Sequence, residues 1–324
     1  MAVRVAFIGC GGIANHHMRT LAKIEDADMV GFYDVDAERA KAAAEQYGGT
    51  AYDSVDKMLD ESGCQAVWVC VPPFAHGDLE MAVIERGLGL FVEKPVATTM
   101  ETARKIEKAI ADKGIVSSVG YHWRYMAATE KAQEALAGKT ITSVLGYWMG
   151  GLPGVWWWRK METSGGQLVE QTTHIVDLAR LFAGEVKTVA AAYALRCLQD
   201  VEDLDVPDVG TVTLNFESGA VGQITNCCHL NFGFRVGIDI IACDMAARID
   251  SGALKLQTSE GIQDVEASND PTLAEDTAFL KAVETGDTSG IRSPYSDAVK
   301  TFAVTIAANL SAQEGRVVEV AEVG

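Results

Sequence analysis

Residues 3–24 read VRVAFIGCGGIANHHMRTLAKI, and this stretch decides the fold of the first third of the chain. It opens with a short apolar run that predicts a strand. The turn after it has the pattern G-x-G-x-x-A, formed by Gly9, Gly11 and Ala14. A helical pattern follows, in which one face carries Ile13, His17, Leu21 and Ile24. A strand, a glycine turn and a helix in this order are typical of a dinucleotide-binding unit.

Each small residue of this turn has a physical reason in such a unit. Gly9 permits a tight turn out of the strand, Gly11 lets the backbone approach a pyrophosphate, and Ala14 allows the helix to pack closely on the strand. The start of the helix offers unpaired N–H groups to phosphates. We therefore expect four residues to contact a cofactor here: Gly9, Gly11, Gly12 and Ile13.

A second apolar run, MVGFYD, ends in Asp34. A carboxylate at the end of the second strand accepts both ribose hydroxyls of NAD and repels the 2′-phosphate of NADP. The next residue is Val35, so no arginine stands there to receive that phosphate. Arg39 lies one turn into the following helix, where it is either a phosphate ligand or a surface charge near Asp36. We expect NAD to be preferred, with NADP the alternative.

Strands and helices continue to alternate up to residue 121, which predicts a parallel, doubly wound sheet. Ligands bind such sheets at the carboxyl ends of the strands. The run AVWVCV, residues 66–71, ends there, and Val71, Pro72 and His76 become candidate cofactor contacts. His76 is equally open to a capping or packing role.

The stretch LGLFVEKP, residues 88–95, ends another strand in Glu93 and Lys94. Such charges often mark only the point where a strand emerges into water. In a doubly wound sheet, however, the end of this strand belongs to the ligand-binding edge. We therefore expect both side chains at the active edge of the dinucleotide domain.

After residue 121 the alternation stops and the pattern changes to an α+β region with a large, open, mainly antiparallel sheet. DVGTVTLNFESGAVGQITNCC, residues 208–228, alternates strictly and predicts a hairpin. Threonines on its second face suit either solvent or a subunit partner. The predicted domains are 1–121, which binds NAD, and 122–324, which binds substrate and forms oligomers.

QLVEQTTHIVDLARLFAG, residues 167–184, predicts one long helix. Glu170 and His174 are four residues apart on it, with Asp177 nearly on the same line. A carboxylate one turn from an imidazole fixes its tautomer and tunes its pKa, as a catalytic histidine requires. The same spacing also describes a core histidine or an ordinary helix salt bridge. One histidine and one carboxylate are too few for a zinc site.

Composition and charge exclude some classes of function. The chain has 324 residues, a formal net charge of −18 and no run long enough for a membrane span, so we expect two domains and no nucleic-acid or membrane partner. The seven cysteines form no C-x-x-C pair. We expect reduced thiols, no metal, and a cytoplasmic location. Solubility explains the acidity, with a salty habitat as the alternative.

Several motifs together resemble the glucose–fructose oxidoreductase / inositol dehydrogenase (Gfo/Idh/MocA) family. They are the glycine turn, VPPFAH (71–76), VEKP (92–95), GGQLVEQTTHIVDL (165–178) and the closing SDAVKTFAVTIAANLSAQEGRVVEV (296–320). The resemblance covers essentially the whole chain. EKP combined with a downstream GG…HxxD is fairly specific, whereas the glycine motif alone is not.

The resemblance implies roles for particular residues. Lys94 lies near the nicotinamide and the substrate hydroxyl, Glu93 near the nicotinamide ribose, and His174 takes the hydroxyl proton. Glu170 stands where the family usually has aspartate, which adds a methylene and puts the usual substrate geometry in doubt. The remaining correspondences are candidate substrate residues: Tyr121, His122, Arg124, Trp158 and Arg159.

Together these features predict an NAD-dependent oxidoreductase acting on a secondary hydroxyl, or ketone, of a sugar, polyol or cyclitol. His174, with Glu170 to orient it, accepts the hydroxyl proton, Lys94 stabilises the alkoxide, and we expect both to converge on one carbon. The three tryptophans 156–158 either stack on a sugar ring or pack in a core. We also expect a homodimer or homotetramer formed through the C-terminal sheet. An NAD-using glycoside hydrolase and a non-catalytic NAD sensor are the alternatives.

Overall fold

The structure is a computed structural model that describes residues 2–324. The strands are β1 Val3–Ile8, β2 Ala27–Tyr33, β3 Thr50–Ala51, β4 Ala66–Val69, β5 Gly89–Val92, β6 Ser117–Val119, β7 Ile141–Met149, β8 Val186–Ala194, β9 Val209–Phe216, β10 Val221–Cys227, β11 Arg235–Ala242, β12 Ala246–Asp250, β13 Ala253–Thr258, β14 Gly261–Val265 and β15 Val318–Glu319. The α-helices are α1 Gly12–Leu21, α2 Ala37–Tyr47, α3 Val55–Glu61, α4 Asp78–Glu85, α5 Met100–Lys113, α6 Ala127–Leu136, α7 Met161–Ser164, α8 Gln167–Glu170, α9 Thr173–Ala183, α10 Pro271–Thr285 and α11 Tyr295–Glu314.

The chain divides into two compact units, and neither is a single stretch of sequence. The first unit consists of Met1–His122 and Asp270–Val299, and the second of Trp123–Asn269 and Lys300–Gly324. One cut after residue 121 therefore does not describe the compact units, because residues 270–299 return to the first. The assignment of cofactor and substrate binding to the predicted domains stays a prediction.

The first unit is built on a parallel sheet with the strand order β3-β2-β1-β4-β5-β6. Its central strands β4 and β5 are buried along their whole length, as expected for strands covered on both faces. This confirms the doubly wound sheet. The carboxyl ends of β1, β2, β4 and β5 meet at one edge, where the glycine turn, Asp34, Val71 and Glu93 follow them.

The core of the first unit includes residues from the far end of the chain. Phe279 on α10 packs edge-on against Trp68 on β4 and Phe91 on β5, with ring centroids 5.1 and 5.6 Å away. Trp68 and Phe91 also stack on each other at 5.4 Å. Burial of such aromatic area is a major contribution to stability, so α10 belongs to the hydrophobic core of this unit.

The second unit is built on a nine-stranded sheet of order β14-β13-β12-β11-β7-β10-β9-β8-β15. Only β7 and β10 pair in parallel, and every other pair is antiparallel. The predicted hairpin is β9 and β10, with Val212 opposite Ile224. Strict alternation buries one face of β9 while the other carries Thr213 and Asn215. The mainly antiparallel α+β region is confirmed.

The prediction of one helix over residues 167–184 is wrong. The segment forms α8 and α9, separated at Gln171 and Thr172. At the break the N–H of Thr172 donates to the carbonyl of Gln167, five residues back, instead of four. Glu170 and His174 therefore lie on different helices, and the simple four-residue helical spacing does not relate them.

None of the helices within residues 2–324 combines the length and apolarity that crossing a membrane requires.

Candidate active site

The three glycines of the turn differ in the space around them, because Gly9 is closely packed whereas Gly11 and Gly12 are open. Gly9 has φ +88°, and a Cβ there would lie 2.3 Å from the carbonyl oxygen of Cys70, so no side chain fits. At Gly11 and Gly12, in contrast, a Cβ would meet no atom within 4 Å. The N-terminus of α1 also has no side-chain cap. Its N–H groups and this open space fit a pyrophosphate.

Ile13, which follows these glycines, is the last of the four predicted contacts. Its side chain is exposed, and it is the residue of the predicted apolar face that the first unit does not bury. Exposure beside an uncapped helix start is compatible with a cofactor contact, which stays a prediction.

Asp34 follows β2 and is buried, with its two oxygens held by the backbone. Oδ2 accepts the N–H of Cys10 at 2.7 Å, and Oδ1 accepts the N–H of Asp36 at 2.8 Å. These bonds fix the carboxylate beside the glycine turn, and each oxygen keeps a further lone pair for a ribose hydroxyl. Arg39 pairs with Asp36 at 3.4 Å and both are exposed, which agrees with the surface-charge alternative.

Val71, Pro72 and His76 lie just beyond β4. The side chain of Val71 lies 3.2 Å from the Cβ position of Gly9, so this residue borders the glycine turn. His76 is buried and its Nδ1 lies 2.6 Å from Oε1 of Glu80, while its buried Nε2 has no hydrogen-bond partner among residues 2–324. Glu80 also accepts the N–H of Gly77 at 2.6 Å, which caps α4. His76 thus packs against the capping residue Glu80 and keeps one ring nitrogen available.

The EKP turn follows β5 directly, and the peptide bond between Lys94 and Pro95 is cis. The Glu93 carboxylate is almost fully buried and its Oε2 accepts the backbone N–H of Lys94 at 3.0 Å. Its other oxygen, Oε1, lies 2.9 Å from Nε2 of His17. The side chain of Lys94 is half-buried. Glu93 therefore holds the turn that carries Lys94.

His17 and Asp276 are site residues that the sequence interpretation missed. Nδ1 of His17 lies 2.8 and 3.1 Å from the two oxygens of Asp276, and Trp68 donates its Nε1–H to Asp276 at 3.1 Å. Burial disfavours the imidazolium, but Asp276 and Glu93 outweigh it and raise the pKa of His17 well above its ordinary value. A histidine on the apolar face of a predicted helix was the signal.

Two further residues enclose Glu93. A Cβ on Gly120 would lie 2.5 Å from Oε1 of Glu93, so the carboxylate occupies the space that a side chain at 120 would need. Burial lowers the pKa of His122 to about 4; Glu93 opposes this shift and Lys94 adds to it. His122 is thus neutral at neutral pH. Tyr121, next to it, is fully buried.

His174 lies in the second unit beside two tryptophan rings, Trp123 and Trp148, whose centroids are 6.1 Å from each other. Its ring centroid is 6.1 Å from that of Trp123 and 6.0 Å from that of Trp148, and the planes are nearly parallel, at 20° and 19°. It is 3% exposed. Two flat neighbours restrict the tilt of the imidazole, which suits a residue that must present a nitrogen in one direction.

Glu170 is held by a tryptophan. Its Oε2 accepts the Nε1–H of Trp158 at 2.8 Å. The Trp158 ring is fully buried in a small cluster with Val206 and Cys228. This agrees with the packing alternative for Trp158, whereas Trp156 is exposed. Because the Trp158 ring is buried, we expect any effect of Trp158 on a substrate to be exerted through the Glu170 carboxylate. A direct contact between Trp158 and substrate stays a prediction.

The other half of the WR pair, Arg159, is half-buried in the second unit. Its Nη1 donates to the carbonyl of Glu202 at 3.3 Å, and its Nε is buried with no partner in the described residues. A substrate contact through Arg159 stays a prediction.

Arg124 is a buried structural residue in the second unit. Its Nε and Nη2 both donate to Asp177 at 2.6 Å, a bidentate pair. Thr301 on α11 donates to the same carboxylate at 2.8 Å and accepts from Arg180 at 2.7 Å. A carboxylate thus already occupies one edge of the Arg124 guanidinium, and a substrate contact through Arg124 stays a prediction.

One group of potential metal ligands lies in the second unit. The ligating atoms of Cys197, Asp208 and His229 lie within 4.8 Å of one another. The Asp208 carboxylate already accepts the N–H groups of Arg196, Cys197 and Leu198 at 2.9, 2.6 and 2.9 Å. It closes its own loop before β9, and our prediction that the protein needs no metal stays a prediction.

The first unit thus fits a dinucleotide on its own geometry: an open, uncapped helix N-terminus at the glycine turn, a fixed carboxylate at Asp34, and a cationic residue on a rigid turn at the same sheet edge. The second unit supplies an imidazole held by aromatic rings and a carboxylate one short helix away. The two sets of side chains belong to different units, and their assignment to one active site stays a prediction.

Comparison with protein families gives two matches along the chain. A model described as "Oxidoreductase family, NAD-binding Rossmann fold" matches residues 3–121. A model described as "GFO/IDH/MocA C-terminal domain" matches residues 132–243. Together they span well over half of the chain.

Individual relatives are similar over nearly their whole lengths. A myo-inositol 2-dehydrogenase of Thermotoga maritima is 24% identical, with 99% of each chain covered. A D-xylose 1-dehydrogenase (NADP(+)) of Haloferax volcanii is 25% identical, with 96% of this chain and 98% of that protein covered. Among solved structures, GenD2 from gentamicin A biosynthesis, in complex with NAD, is 25% identical with a TM-score of 0.86 over 98% of this chain and 96% of that chain.

Proposed function

Because the chain belongs to the Gfo/Idh/MocA family of oxidoreductases, we propose that it transfers a hydride between a nicotinamide cofactor and a secondary hydroxyl, or ketone, of a sugar, polyol or cyclitol. The inositol and xylose dehydrogenases to which it is similar act on substrates of this class, as their names state. In the oxidative direction the carbinol carbon loses a hydride and the hydroxyl oxygen loses a proton, so the products are a ketone, reduced cofactor and H⁺.

The observation that carries this proposal is the sheet edge of the first unit. A glycine turn without a helix cap, the Asp34 carboxylate and Lys94 follow three strands of one parallel sheet at the same edge. Ligands of doubly wound sheets bind at this edge. Phosphate recognition, ribose recognition and a cation are thereby placed on a single scaffold.

Residues of the first unit would hold the cofactor. The N–H groups at Gly11 and Gly12 face the pyrophosphate, Ile13 and Val71 with Pro72 border it, and Asp34 accepts ribose hydroxyls. His76, through its available Nε2, and the EKP turn complete the set. When bound, the cofactor supplies the acceptor or donor of the hydride.

Lys94 and His174 carry the chemistry of the substrate oxygen in this proposal. A sugar hydroxyl is too weak an acid to ionise unaided. The Lys94 ammonium stabilises the negative charge that develops on that oxygen, and the His174 imidazole accepts its proton. Glu170, fixed by Trp158, accepts a hydrogen bond from the substrate or from the imidazole. Four further residues are candidates for contacts with the substrate: Tyr121 and His122 in the first unit, and Arg124 and Arg159 in the second.

NAD is the preferred cofactor in our proposal. The Asp34 carboxylate, fixed by two backbone N–H groups, leaves no neutral site for a 2′-phosphate, and Arg39 is turned to Asp36. The neighbour Val35 is 93% exposed and offers no charge.

We further propose a cytoplasmic homodimer or homotetramer formed through the open face of the second unit's sheet. That face carries exposed apolar side chains at Leu145 and Val221 beside the threonines of β9. An apolar patch rimmed by polar residues suits a subunit contact.

The test is a panel of sugars, polyols and cyclitols, including myo-inositol and D-xylose, assayed for NADH and NADPH formation. Lys94→Ala and His174→Ala are compared with Lys187→Ala, which removes an exposed lysine from β8. We expect kcat to fall by about 10²- to 10³-fold for each site variant, since each removes transition-state stabilisation, while NAD still binds.

Turnover that survives both site substitutions would contradict the proposed chemistry. Release of aglycone from a glycoside without net NADH would indicate the NAD-recycling hydrolase instead. NAD binding without turnover of any member of the panel would favour a sensor.

A further inference from the structure

The buried residues behind the EKP turn form a continuous chain of charged groups in the first unit. Asp276 on α10 contacts His17 on α1, His17 contacts Glu93, and Glu93 accepts the backbone N–H of Lys94. His17, Glu93 and Asp276 are all less than 5% exposed. These contacts tie α1 and α10 to the EKP turn, so a role in orienting that turn can be tested.

The hydrogen bonds define the charge on His17. Both of its ring nitrogens face carboxylate oxygens, at 2.8 Å and 2.9 Å. Only an imidazolium has two N–H groups to donate. A neutral ring would leave one carboxylate oxygen facing a lone pair inside a dry core, which is costly. With both carboxyl groups ionised, the geometry favours the charged form of His17.

The Glu93 carboxylate has one orientation that satisfies all its neighbours. Oε1 faces His17, Oε2 faces the N–H of Lys94, and the absent side chain of Gly120 leaves the space it fills. A carboxylate locked at both oxygens fixes the peptide before Lys94. The direction in which the Lys94 side chain leaves the turn follows from that peptide.

We propose that His17 and Asp276 are positioning residues: the imidazolium of His17, anchored by Asp276 from the far end of the chain, locks Glu93 onto the backbone of Lys94 and so sets where the ammonium lies. This rests on the proposed function only in its last step, the use of that ammonium in turnover. In this proposal the main role of Glu93 is to hold the EKP turn, and a contact with a cofactor ribose is secondary.

Two substitutions perturb this series of hydrogen bonds, one at Asp276 and the other beside Glu93. Asp276→Asn removes one carboxylate charge while keeping an oxygen that can accept from His17 and Trp68. Gly120→Ala leaves His17 and Asp276 untouched but brings a methyl group to 2.5 Å from Oε1 of Glu93. Asp28→Asn, the same chemical change at an exposed position on β2, is the matched control.

The first readouts use the protein without cofactor or substrate. Histidine ring NMR over pH 5–9, assigned with His17→Gln, is expected to show an imidazolium that persists to high pH in the wild type and in Asp28→Asn. In Asp276→Asn it becomes neutral near pH 8. The charged and titratable groups that face His17 are Asp276 and Glu93, with the His16 ring 6.3 Å away and Lys94 and His122 beyond Glu93.

Amide hydrogen exchange at Lys94 reports the lock itself. A hydrogen bond to a charged group contributes enough that its loss speeds exchange by about 10- to 100-fold. We expect this in Gly120→Ala at every pH, and in Asp276→Asn near pH 8 but not near pH 6, where His17 regains its proton. Unchanged exchange in both variants would overturn the proposal, even if one of them lost stability.

Turnover gives the functional consequence. With the substrate that the panel identifies, kcat is expected to fall by about 10- to 100-fold in both variants, because the ammonium is misplaced. KM for NAD is expected to change less than kcat, since the glycine turn and Asp34 are untouched while the EKP turn is the only part of the proposed cofactor site that the variants disturb. In Asp276→Asn the loss is largely reversed near pH 6.

The outcomes separate the two proposals. A wild type that turns over no substrate contradicts the proposed function, while the exchange and ring measurements still decide the lock. An active wild type whose variants exchange faster at Lys94 but keep full kcat contradicts the positioning role.

Discussion

Each unit of the molecule buries a chain of charged groups, and the two chains differ in the cation at their centre. In the first unit it is the His17 imidazolium, between Asp276 and Glu93. In the second it is the Arg124 guanidinium, bidentate to Asp177. A guanidinium keeps its charge at every pH that a protein experiences, whereas an imidazolium depends on its neighbours to keep its own.

The difference in the central cation shows what each group of buried charges is suited for. The pair of Arg124 and Asp177, extended through Thr301 to Arg180, is fixed in charge and joins α9 to α11. It is structural. The chain of His17 reaches the backbone of a candidate catalytic lysine and has a charge that one substitution can remove. The EKP turn of the first unit is thus held by a histidine whose charge can change, whereas the buried pair of the second unit contains an arginine whose charge does not.

The largest expected effect concerns the buried pair of Arg124 and Asp177 in the second unit. Asp177→Ala removes the carboxylate that binds the buried Arg124 guanidinium through two hydrogen bonds, which costs about 3–5 kcal/mol of unfolding free energy. Denaturant unfolding measures it, and the loss should be the same near pH 6 and pH 8.5 because the guanidinium does not titrate there. Asp264→Ala, at an exposed pair with Lys255, is the control and should change stability little. A loss that varied strongly with pH would contradict the contrast between the two chains.

The second effect concerns His122, beside Glu93 and Lys94 in the first unit. Its pKa is lowered to about 4 in the folded state, so between that value and its ordinary 6.5 the unfolded chain binds more protons. Stability therefore falls as the pH falls through this window, by up to about 3 kcal/mol from this group. His122→Gln should lose less stability than wild type between pH 6.5 and 4, measured by unfolding at several pH values. Identical curves would show that His122 titrates normally.

The smallest effect compares the supports of two carboxylates. Glu93 is held by a cation, whereas Glu170 is held by the neutral indole N–H of Trp158. Trp158→Phe removes that donor and should cost about 1–2 kcal/mol of unfolding free energy at neutral pH. Trp156→Phe, at an exposed ring, is the control. A loss no larger than that of the control would show that the Trp158 hydrogen bond does not stabilise the fold.

The periodic parts of the fold could be predicted from sequence. The glycine turn, the buried strands and the alternating hairpin each follow from a local pattern that burial enforces. The break between α8 and α9 was not predicted, because apolar residues on both sides of the polar run Glu170–His174 continue a helical pattern and a shift of one hydrogen bond at Thr172 has no specific sequence signal.

The candidate site was predictable only where its residues are marked locally. Lys94 and Asp34 end strands, and His174 follows a known motif. Asp276 stands 259 residues after His17, so no local pattern connects them. A histidine on an apolar helix face indicates a buried partner but does not identify it. In the same way, no local pattern connects Arg124 with Asp177, 53 residues later.

The return of residues 270–299 to the first unit has a consequence for synthesis on the ribosome. By the time residue 122 has emerged, the parallel sheet has all its strands but lacks Phe279 for its aromatic core and Asp276 for the charge of His17. The nascent chain must keep that surface open while nearly 150 further residues are added. The nucleotide-binding half, first to be translated, is among the last parts of the molecule to mature.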